Sequence, residues 1–274
     1  MITSDVCLLM ERNRKLRDLH EEAVKKSNAH YINELKLRLN DKDIKILKMI
    51  NMNKIVTTSQ IAKIFYPDSN SPDKSTLKTM KKLFSLGCVD RFSPRLSIGE
   101  GSSEYHYVLT RPGSKLLDIK LFRPIKKLNQ KWRHTVAVSE VFSGLASKYE
   151  VLDWKQEIKL KYSVGSKEYE IRPDCFSYWL NNENDNYAFF EIDLSTENQD
   201  VLNKKIDAYH NYFFNSSDFK CHDWQPFEAP VTIPIIFILN DRKRLSKLNN
   251  YYSKFIDKHS SDLKCHFTTF ENLI

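Results

Sequence analysis

Residues 171–195 read IRPDCFSYWLNNENDNYAFFEIDLS, and this stretch decides the fold of the second half of the chain. Two runs rich in apolar and aromatic residues flank the polar segment Asn181–Asn186, which predicts two antiparallel strands joined by a turn. Asp174 lies near the start of the first strand, and Glu191 and Asp193 lie near the end of the second. Because side chains alternate with period two, Glu191 and Asp193 share one face of their strand.

These carboxylates form a candidate metal site. If the strands pair in the register that sets Asp174 opposite Glu191, two or three carboxylates meet at one place. Such a cluster repels itself unless a cation lies within it, and Mg²⁺ is the usual partner of hard oxygen ligands. A magnesium ion held by Asp174 and Glu191 would activate water for attack on a phosphodiester. A network of ion pairs with Arg172 and Lys205 is the alternative explanation.

The elements around this stretch predict a mixed α/β domain over residues 131–274. Helices are expected at 131–149, 198–214 and 242–258, and strands at 151–162, 167–178, 187–194, 231–239 and 264–270. Antiparallel strands come first, and a crossover helix then leads to a buried strand. This order predicts a mixed sheet flanked by helices.

Residues 39–125 predict a winged helix-turn-helix domain, preceded by a helical extension at residues 1–38. Three short helices begin after Asn40, after Thr57 and near Asp73, each with apolar residues at helical spacing. A glycine ends the third helix, and two short strands then form a hairpin. Three helices followed by a hairpin is the order of elements in a winged helix.

The basic charge of the chain is concentrated in its first half. The formal net charge is +8, yet residues 1–130 hold 25 lysine and arginine residues against 14 acidic ones, whereas residues 131–274 hold 18 against 21. The third helix carries a lysine stripe opposite an apolar side that is expected to include Leu77. We predict contacts to duplex DNA from this helix and the wing, through Lys74, Ser75, Lys78, Thr79, Lys81, Lys82, Arg91 and Arg95. An ordinary solvated helix face is the alternative interpretation.

Composition argues against several other classes of protein. The five cysteines contain no C-x-x-C pair, so a reduced, cytoplasmic protein is expected rather than a disulfide framework or a zinc ribbon. The longest apolar stretch, residues 231–239, is too short to cross a bilayer, and no membrane partner is expected. None of the six glycines occurs in a phosphate-binding spacing, which disfavours ATP-driven or nicotinamide chemistry.

The motifs together resemble the replication-relaxation family. The resemblance is carried by YVLTRPG at residues 107–113, RPD at 172–174, FEIDLSTE at 190–197, and Lys205-Ile206 with Tyr209. The acids and the order of elements also resemble the PD-(D/E)XK nuclease superfamily. The resemblance, over about residues 40–240, implies a DNA-binding protein of a plasmid or integrative element that acts in replication, relaxation or transfer. It also implies replication or relaxosome proteins as partners and a nuclease-like second domain. A homodimer is a separate expectation.

One position departs from the nuclease pattern, which has a lysine two residues after the strand glutamate, where this chain has Asp193. Lys205 is the predicted substitute, because the following helix can bring it over the sheet, and Asp193 is then an auxiliary acid. If Asp174, Glu191, Asp193 and Lys205 are catalytic, the activity is Mg²⁺-dependent nicking of DNA. The alternatives are a transcriptional or replication regulator with an inactive second domain used for dimerisation, and a protein-interaction adaptor.

Overall fold

The computed structural model describes residues 4–94, 103–119, 131–195, 197–216, 227 and 231–273. The chain divides into two compact units, Met1–Ser143 and Gly144–Ile274. The predicted α/β class with a mixed sheet flanked by helices is confirmed. No helix in the described ranges is long and apolar enough to cross a membrane.

The first unit is largely helical and contains one small sheet. Its elements are α1 (Ser4–Lys25), α2 (Ala29–Arg38), α3 (Asp41–Asn53), β1 (Val56–Thr57), α4 (Thr58–Phe65), α5 (Pro72–Ser85), β2 (Val89–Phe92), β3 (His106–Leu109), α6 (Arg111–Leu116) and most of α7 (Lys131–Ala146). The three strands lie in the order β1-β3-β2, and both pairs are antiparallel.

Local signals in the sequence set the ends of these helices. Asn40 and Thr57 each cap a helix, and each belongs to a reciprocal capping box that satisfies backbone N–H groups of the first turn. Gly87 lies two residues after the end of α5, and its φ of +62° is a conformation that favours glycine. The N–H of Cys88 donates to the carbonyl of Leu83, which closes a Schellman motif.

Helix α7 packs on the first unit for most of its length, whereas the sequence pattern groups it with the domain expected at residues 131–274. The Ser139 hydroxyl donates to the carbonyl of Ile55 at 2.6 Å, and Gln60 donates to the Glu140 carboxylate at 2.9 Å. The boundary between the two compact units falls after Ser143, near the end of α7. Helical periodicity identifies the helix but carries no information about which unit covers its buried side.

The second unit is built on a five-stranded sheet. Its elements are β4 (Glu150–Gln156), β5 (Leu160–Val164), β6 (Lys167–Ile171), β7 (Cys175–Asn181), β8 (Asn184–Asp193), α8 (Gln199–His210), a π-helical turn (Asn211–Asn215), β9 (Ile235–Leu239), α9 (Arg242–His259), β10 (Cys265–Thr268) and α10 (Phe270–Leu273). The strand order is β10-β9-β8-β7-β4. Strands β8, β9 and β10 are parallel, and β7 pairs antiparallel with both β8 and β4.

Two strands that the sequence predicts as continuous are each divided in two. The strand expected at 151–162 is β4 followed by β5, with Glu157 between them at a φ of +58°. The strand expected at 167–178 is β6 followed by β7, and Pro173 lies between them. Because proline has no N–H, it cannot donate to a strand ladder. Strands β5 and β6 pair with each other as a separate two-stranded sheet.

Helices α8 and α9 contribute to the core of the second unit together with the five-stranded sheet. Phe189 and Phe237 of the sheet, Ile206 of α8 and Leu248 of α9 are fully buried in one apolar cluster. Helix α8 begins shortly after β8 ends, and its first turns therefore lie close to the carboxyl end of that strand. This connection positions the residues of the acidic site.

Candidate functional site

The register of β7 and β8 sets Asp174 beside Glu191. Cys175 pairs with Phe190, and the N–H of Asp174 donates to the carbonyl of Phe190 at 3.1 Å. The N–H of Ile192 in turn donates to Oδ2 of Asp174 at 2.7 Å. The antiparallel pairing thus continues one residue beyond β7, in the register that the sequence hypothesis required.

Glu191 is buried and is held by two side chains of α8. Lys205 Nζ donates to Oε2 of Glu191 at 2.8 Å, and the hydroxyl of Tyr209 donates to Oε1 at 2.6 Å. Lys205 also forms an ion pair with Glu197 at 3.0 Å. Lys205 and Tyr209 are four residues apart, so one helix face presents both groups to the strand.

Burial and neighbouring charges shift the ionisation of this cluster. Burial raises the pKa of Glu191 to about 7, a shift that Lys205 opposes and Asp174 reinforces. Burial by itself would lower the pKa of Lys205, but the charge and hydrogen bond of Glu191 outweigh it and raise that pKa above its usual value. Burial and the Glu191 charge also raise the pKa of Tyr209. Burial therefore favours the protonated form of Glu191, and the neighbouring carboxylate favours the protonated form of Lys205.

Asp193 belongs to a second ion pair rather than to the Glu191–Lys205 pair. Its side chain is 2% exposed, and its Oδ2 lies 2.6 Å from a guanidinium nitrogen of Arg244. The same guanidinium donates to the backbone carbonyl of Glu197, whose N–H donates to Oδ1 of Asp193 at 3.3 Å. Arg172, the other cation considered in the ion-pair alternative, pairs with Glu170. The two ion pairs are thus linked through Glu197.

Asp174 and Glu191 are candidate ligands for a magnesium ion bound together with a phosphate, but the carboxylate of Glu191 is buried and both of its oxygens already accept hydrogen bonds. Asp174 and Glu191 supply hard oxygen donors from adjacent strands, and protein magnesium sites commonly use one or two carboxylates plus substrate phosphates. The Lys205 cation donates one of the hydrogen bonds that Glu191 accepts. Among the described residues, no group of three or more histidine, cysteine, aspartate or glutamate side chains is arranged to hold a metal. Any magnesium here would therefore depend on oxygen ligands from the substrate.

The residues predicted to contact DNA separate into two rows on α5. Lys74, Lys78 and Lys81, which we call the α5 lysine row, are exposed, and none of them forms an ion pair with another described residue. Leu77 is 38% exposed and, by helical spacing, lies on the same face. The helical pattern predicts Leu77 on the buried side, and this prediction is wrong. The buried side of the helix instead includes Thr76, together with Met80.

The second row is bonded within the first unit and consists of Ser75, Thr79 and Lys82. Their partners are the hydroxyl of Ser69 at 3.1 Å, the hydroxyl of Tyr66 at 2.6 Å and the carboxylate of Asp43 at 2.6 Å. The Asp43 side chain is only 3% exposed, and it also belongs to the capping box of α3. The charge of Lys82 is therefore balanced inside the unit, whereas the α5 lysine row has no such partner in the part of the chain that the structure describes.

Of the two arginines predicted to contact DNA from the wing, Arg91 lies among the described residues. The guanidinium of Arg91 lies 4.6 Å from the ring centre of Phe84 and 4.4 Å from that of Tyr105, in two cation–π contacts. Arg91 is thus held close to the end of α5. Arg95 lies outside the described residues.

Four residues of these sites were not foreseen as members, namely Asp43, Glu197, Tyr209 and Arg244. Tyr209 had a usable signal, because it follows Lys205 by one helical turn on the same face. Asp43 and Arg244 had none, since each meets its partner only when distant elements pack together.

A comparison with protein families identifies the class to which the chain belongs. The replication-relaxation family model matches residues 47–222, well over half of the chain. The chain belongs to the replication-relaxation family, as the motifs predicted. The match includes α5 and the acidic site but ends before α9. No curated protein and no solved structure matches the chain.

Proposed function

We propose that this replication-relaxation protein binds duplex DNA through α5 during replication or relaxation of a plasmid or other mobile element. The α5 lysine row carries the proposal, because its exposed ammonium groups have no partner among the described residues. Such groups neutralise phosphates and release counterions. In this interpretation residues 39–125 are a winged helix, α5 is its recognition helix, and Leu77 contacts base edges such as the thymine methyl group.

Salt dependence of binding tests the proposal. The full chain is titrated against a labelled 30-base-pair duplex over a range of salt concentrations, and binding is expected to weaken steeply as salt rises. Loss of three phosphate contacts should reduce the slope of log affinity against log salt by about 2 to 3. The test variant carries Lys74→Gln, Lys78→Gln and Lys81→Gln, and its charge-matched control carries Lys159→Gln, Lys161→Gln and Lys167→Gln.

Two results would overturn DNA binding through α5. One is an unchanged slope in the test variant, and the other is an equal fall in the control, whose lysines are exposed in or next to the β5–β6 pair. A protein-interaction adaptor would bind no duplex at any salt concentration. Partners among replication or relaxosome proteins are a further prediction of the family resemblance, and a homodimer is a separate prediction.

A second candidate function is Mg²⁺-dependent nicking of DNA by a nuclease-like domain at residues 131–274. The proximity of Asp174, Glu191 and Lys205 at the end of β8 favours it. Magnesium held by the two carboxylates would polarise the phosphodiester and activate water. Lys205 would stabilise the charge that develops on the phosphate. Asp193, bound to Arg244, would act indirectly by holding the segment that carries Glu197.

Supercoiled plasmid distinguishes the nuclease from an inactive domain. Native protein with Mg²⁺ or Mn²⁺ is expected to convert the plasmid to open circles, and Asp174→Asn should abolish the conversion. The asparagine can still accept the hydrogen bond from Ile192 while removing the charge. Asp200→Asn, at an exposed position of α8, is the matched control and should retain activity. No nicking by the native protein with either metal would favour the regulator with an inactive second domain.

A further inference from the structure

Helix α9 carries a second row of lysines, on the unit whose overall charge is slightly negative. Lys243, Lys247, Lys254 and Lys258, which we call the α9 lysine row, are spaced by four, seven and four residues. At about 100° per residue these spacings keep all four within about 60° of arc, along about 22 Å of helix. All four are exposed.

The cations of α9 differ in how they are balanced. Both arginines of the helix are engaged, Arg242 by Glu271 at 2.7 Å and Arg244 by Asp193 at 2.6 Å. The four lysines form no ion pair with any residue in the described ranges. Asp257 is the one acidic residue of the helix and, by its spacing, lies at the edge of the lysine face. The row therefore presents a strong local excess of positive charge.

One end of the row borders a cavity. This cavity has a volume of about 450 Å³, and Lys254, Lys258, His210, Tyr251 and Phe255 are among the residues that line it. The Tyr251 hydroxyl donates to Asp207 at 2.7 Å, so the acidic residue of the lining already has a partner. Lysines at the rim of a concave surface concentrate positive potential there and attract anions.

We propose that the α9 lysine row is a second nucleic-acid contact surface, which binds the phosphodiester backbone of DNA. The proposal rests on the proposed function for the identity of its ligand, but it uses different residues on the other unit. These residues lie outside the segment that matches the family model. The chain would then carry two separate groups of cations that bind DNA, one on each unit.

Packing of the opposite face of α9 favours nucleic acid over a lipid surface. Leu248 and Phe255 are buried in the core, and Tyr252 donates to the carbonyl of Leu263 at 2.6 Å. Amphipathic helices that bind membranes insert their apolar face into the bilayer. Helix α9 uses that face for the fold, and its exposed side offers charge alone, which suits a phosphate backbone.

The experiment repeats the salt titration on the full chain with the same duplex. Removing the α9 lysine row should reduce the slope of log affinity against log salt by about 2 to 4 and weaken binding at least tenfold at the lowest salt concentration. Glutamine is a good helix former, so thermal unfolding of the variant should match that of the native protein. The test variant carries Lys243→Gln, Lys247→Gln, Lys254→Gln and Lys258→Gln, and the control carries Lys159→Gln, Lys161→Gln, Lys167→Gln and Lys264→Gln.

The outcomes separate this inference from DNA binding through α5. A reduced slope in the α9 variant with an unchanged control supports the inference, even if the α5 variant behaves as native. An unchanged slope in the α9 variant overturns it, and a loss confined to the α5 variant then leaves the proposed function intact. An equal loss in the control also overturns it. Loss of binding to phosphatidylserine vesicles, with DNA binding unchanged, would assign the row to a membrane and overturn the inference as well.

Discussion

The two candidate sites differ in whether their charged side chains form ion pairs. On α5, Lys74, Lys78 and Lys81 form no ion pair with any described residue. At the end of β8, Glu191 lies 2.8 Å from Lys205, and Asp193 lies 2.6 Å from Arg244. An exposed charge contributes little to stability, whereas removing one partner of a buried pair leaves an uncompensated charge. Substitutions on α5 should therefore alter ligand binding, and substitutions at β8 should first alter folding.

The largest expected effect is the loss of Lys205. Lys205→Met removes the cation beside Glu191, whose side chain is 1% exposed, and should lower the free energy of unfolding by about 3–5 kcal/mol at pH 8. Chemical denaturation measures the change. The loss should be smaller at pH 5, where a protonated Glu191 needs no counter-charge.

Lys204→Met is the matched control for this prediction. Lys204 is the preceding residue of α8 and is exposed, so its loss should change stability by less than about 0.5 kcal/mol. Equal effects of the two substitutions would show that Glu191 and Lys205 do not form a buried ion pair, and the contrast between the two sites would disappear.

The second expected effect is a pH dependence that originates at Glu191. Burial raises the pKa of Glu191 from its ordinary value of 4.5 to about 7, so the folded protein binds the proton more tightly than the unfolded chain does. The stabilising contribution of this proton is fully present below pH 4.5 and is lost as the pH rises to about 7. Over this range the free energy of unfolding is expected to fall by about 3 kcal/mol.

The variant Glu191→Gln isolates this contribution, because glutamine resembles the protonated side chain and does not titrate. The stability of the native protein relative to that of Glu191→Gln should fall as the pH rises from 4.5 to 7, as measured by denaturation at several pH values. If the difference in stability between the two proteins stayed constant across this range, Glu191 would have an ordinary pKa. The ion pair at β8 would then behave like an exposed one.

The sequence predicted the parts of this molecule that depend on local pattern. Alternation along the strands and the intervening turn predicted the two antiparallel strands that carry Asp174 and Glu191, but their register was only a condition of the hypothesis. The caps at Asn40 and Thr57 predicted the starts of two helices. Breaks within the expected strands were missed, because a residue such as Glu157 can adopt a positive φ without any local signal. Pro173 could have indicated the second break, since it cannot donate to a ladder.

Partners of charged side chains could not be predicted in the same way. A lysine stripe is visible in the sequence, but the acid that engages one of its members, Asp43, comes from another helix. Likewise Arg244 reaches Asp193 because α9 and α8 both begin at the carboxyl ends of neighbouring parallel strands. Pairing of this kind depends on how elements pack, and it decides which charges are available to a ligand.

The smallest expected effect compares two lysines of the same helix. Lys82→Gln removes the cation from the buried carboxylate of Asp43 and should lower the free energy of unfolding by about 1–2 kcal/mol, because that carboxylate keeps a hydrogen bond from the N–H of Asn40. Lys78→Gln breaks no hydrogen bond or ion pair with a described residue, so it should leave stability unchanged while it weakens DNA binding. Denaturation and duplex titration of both variants measure the contrast. The contrary result is that Lys82→Gln weakens DNA binding as much as Lys78→Gln does, without loss of stability. In that case both rows of α5 would contact DNA, and the distinction between an exposed row and a row bonded within the first unit would be wrong.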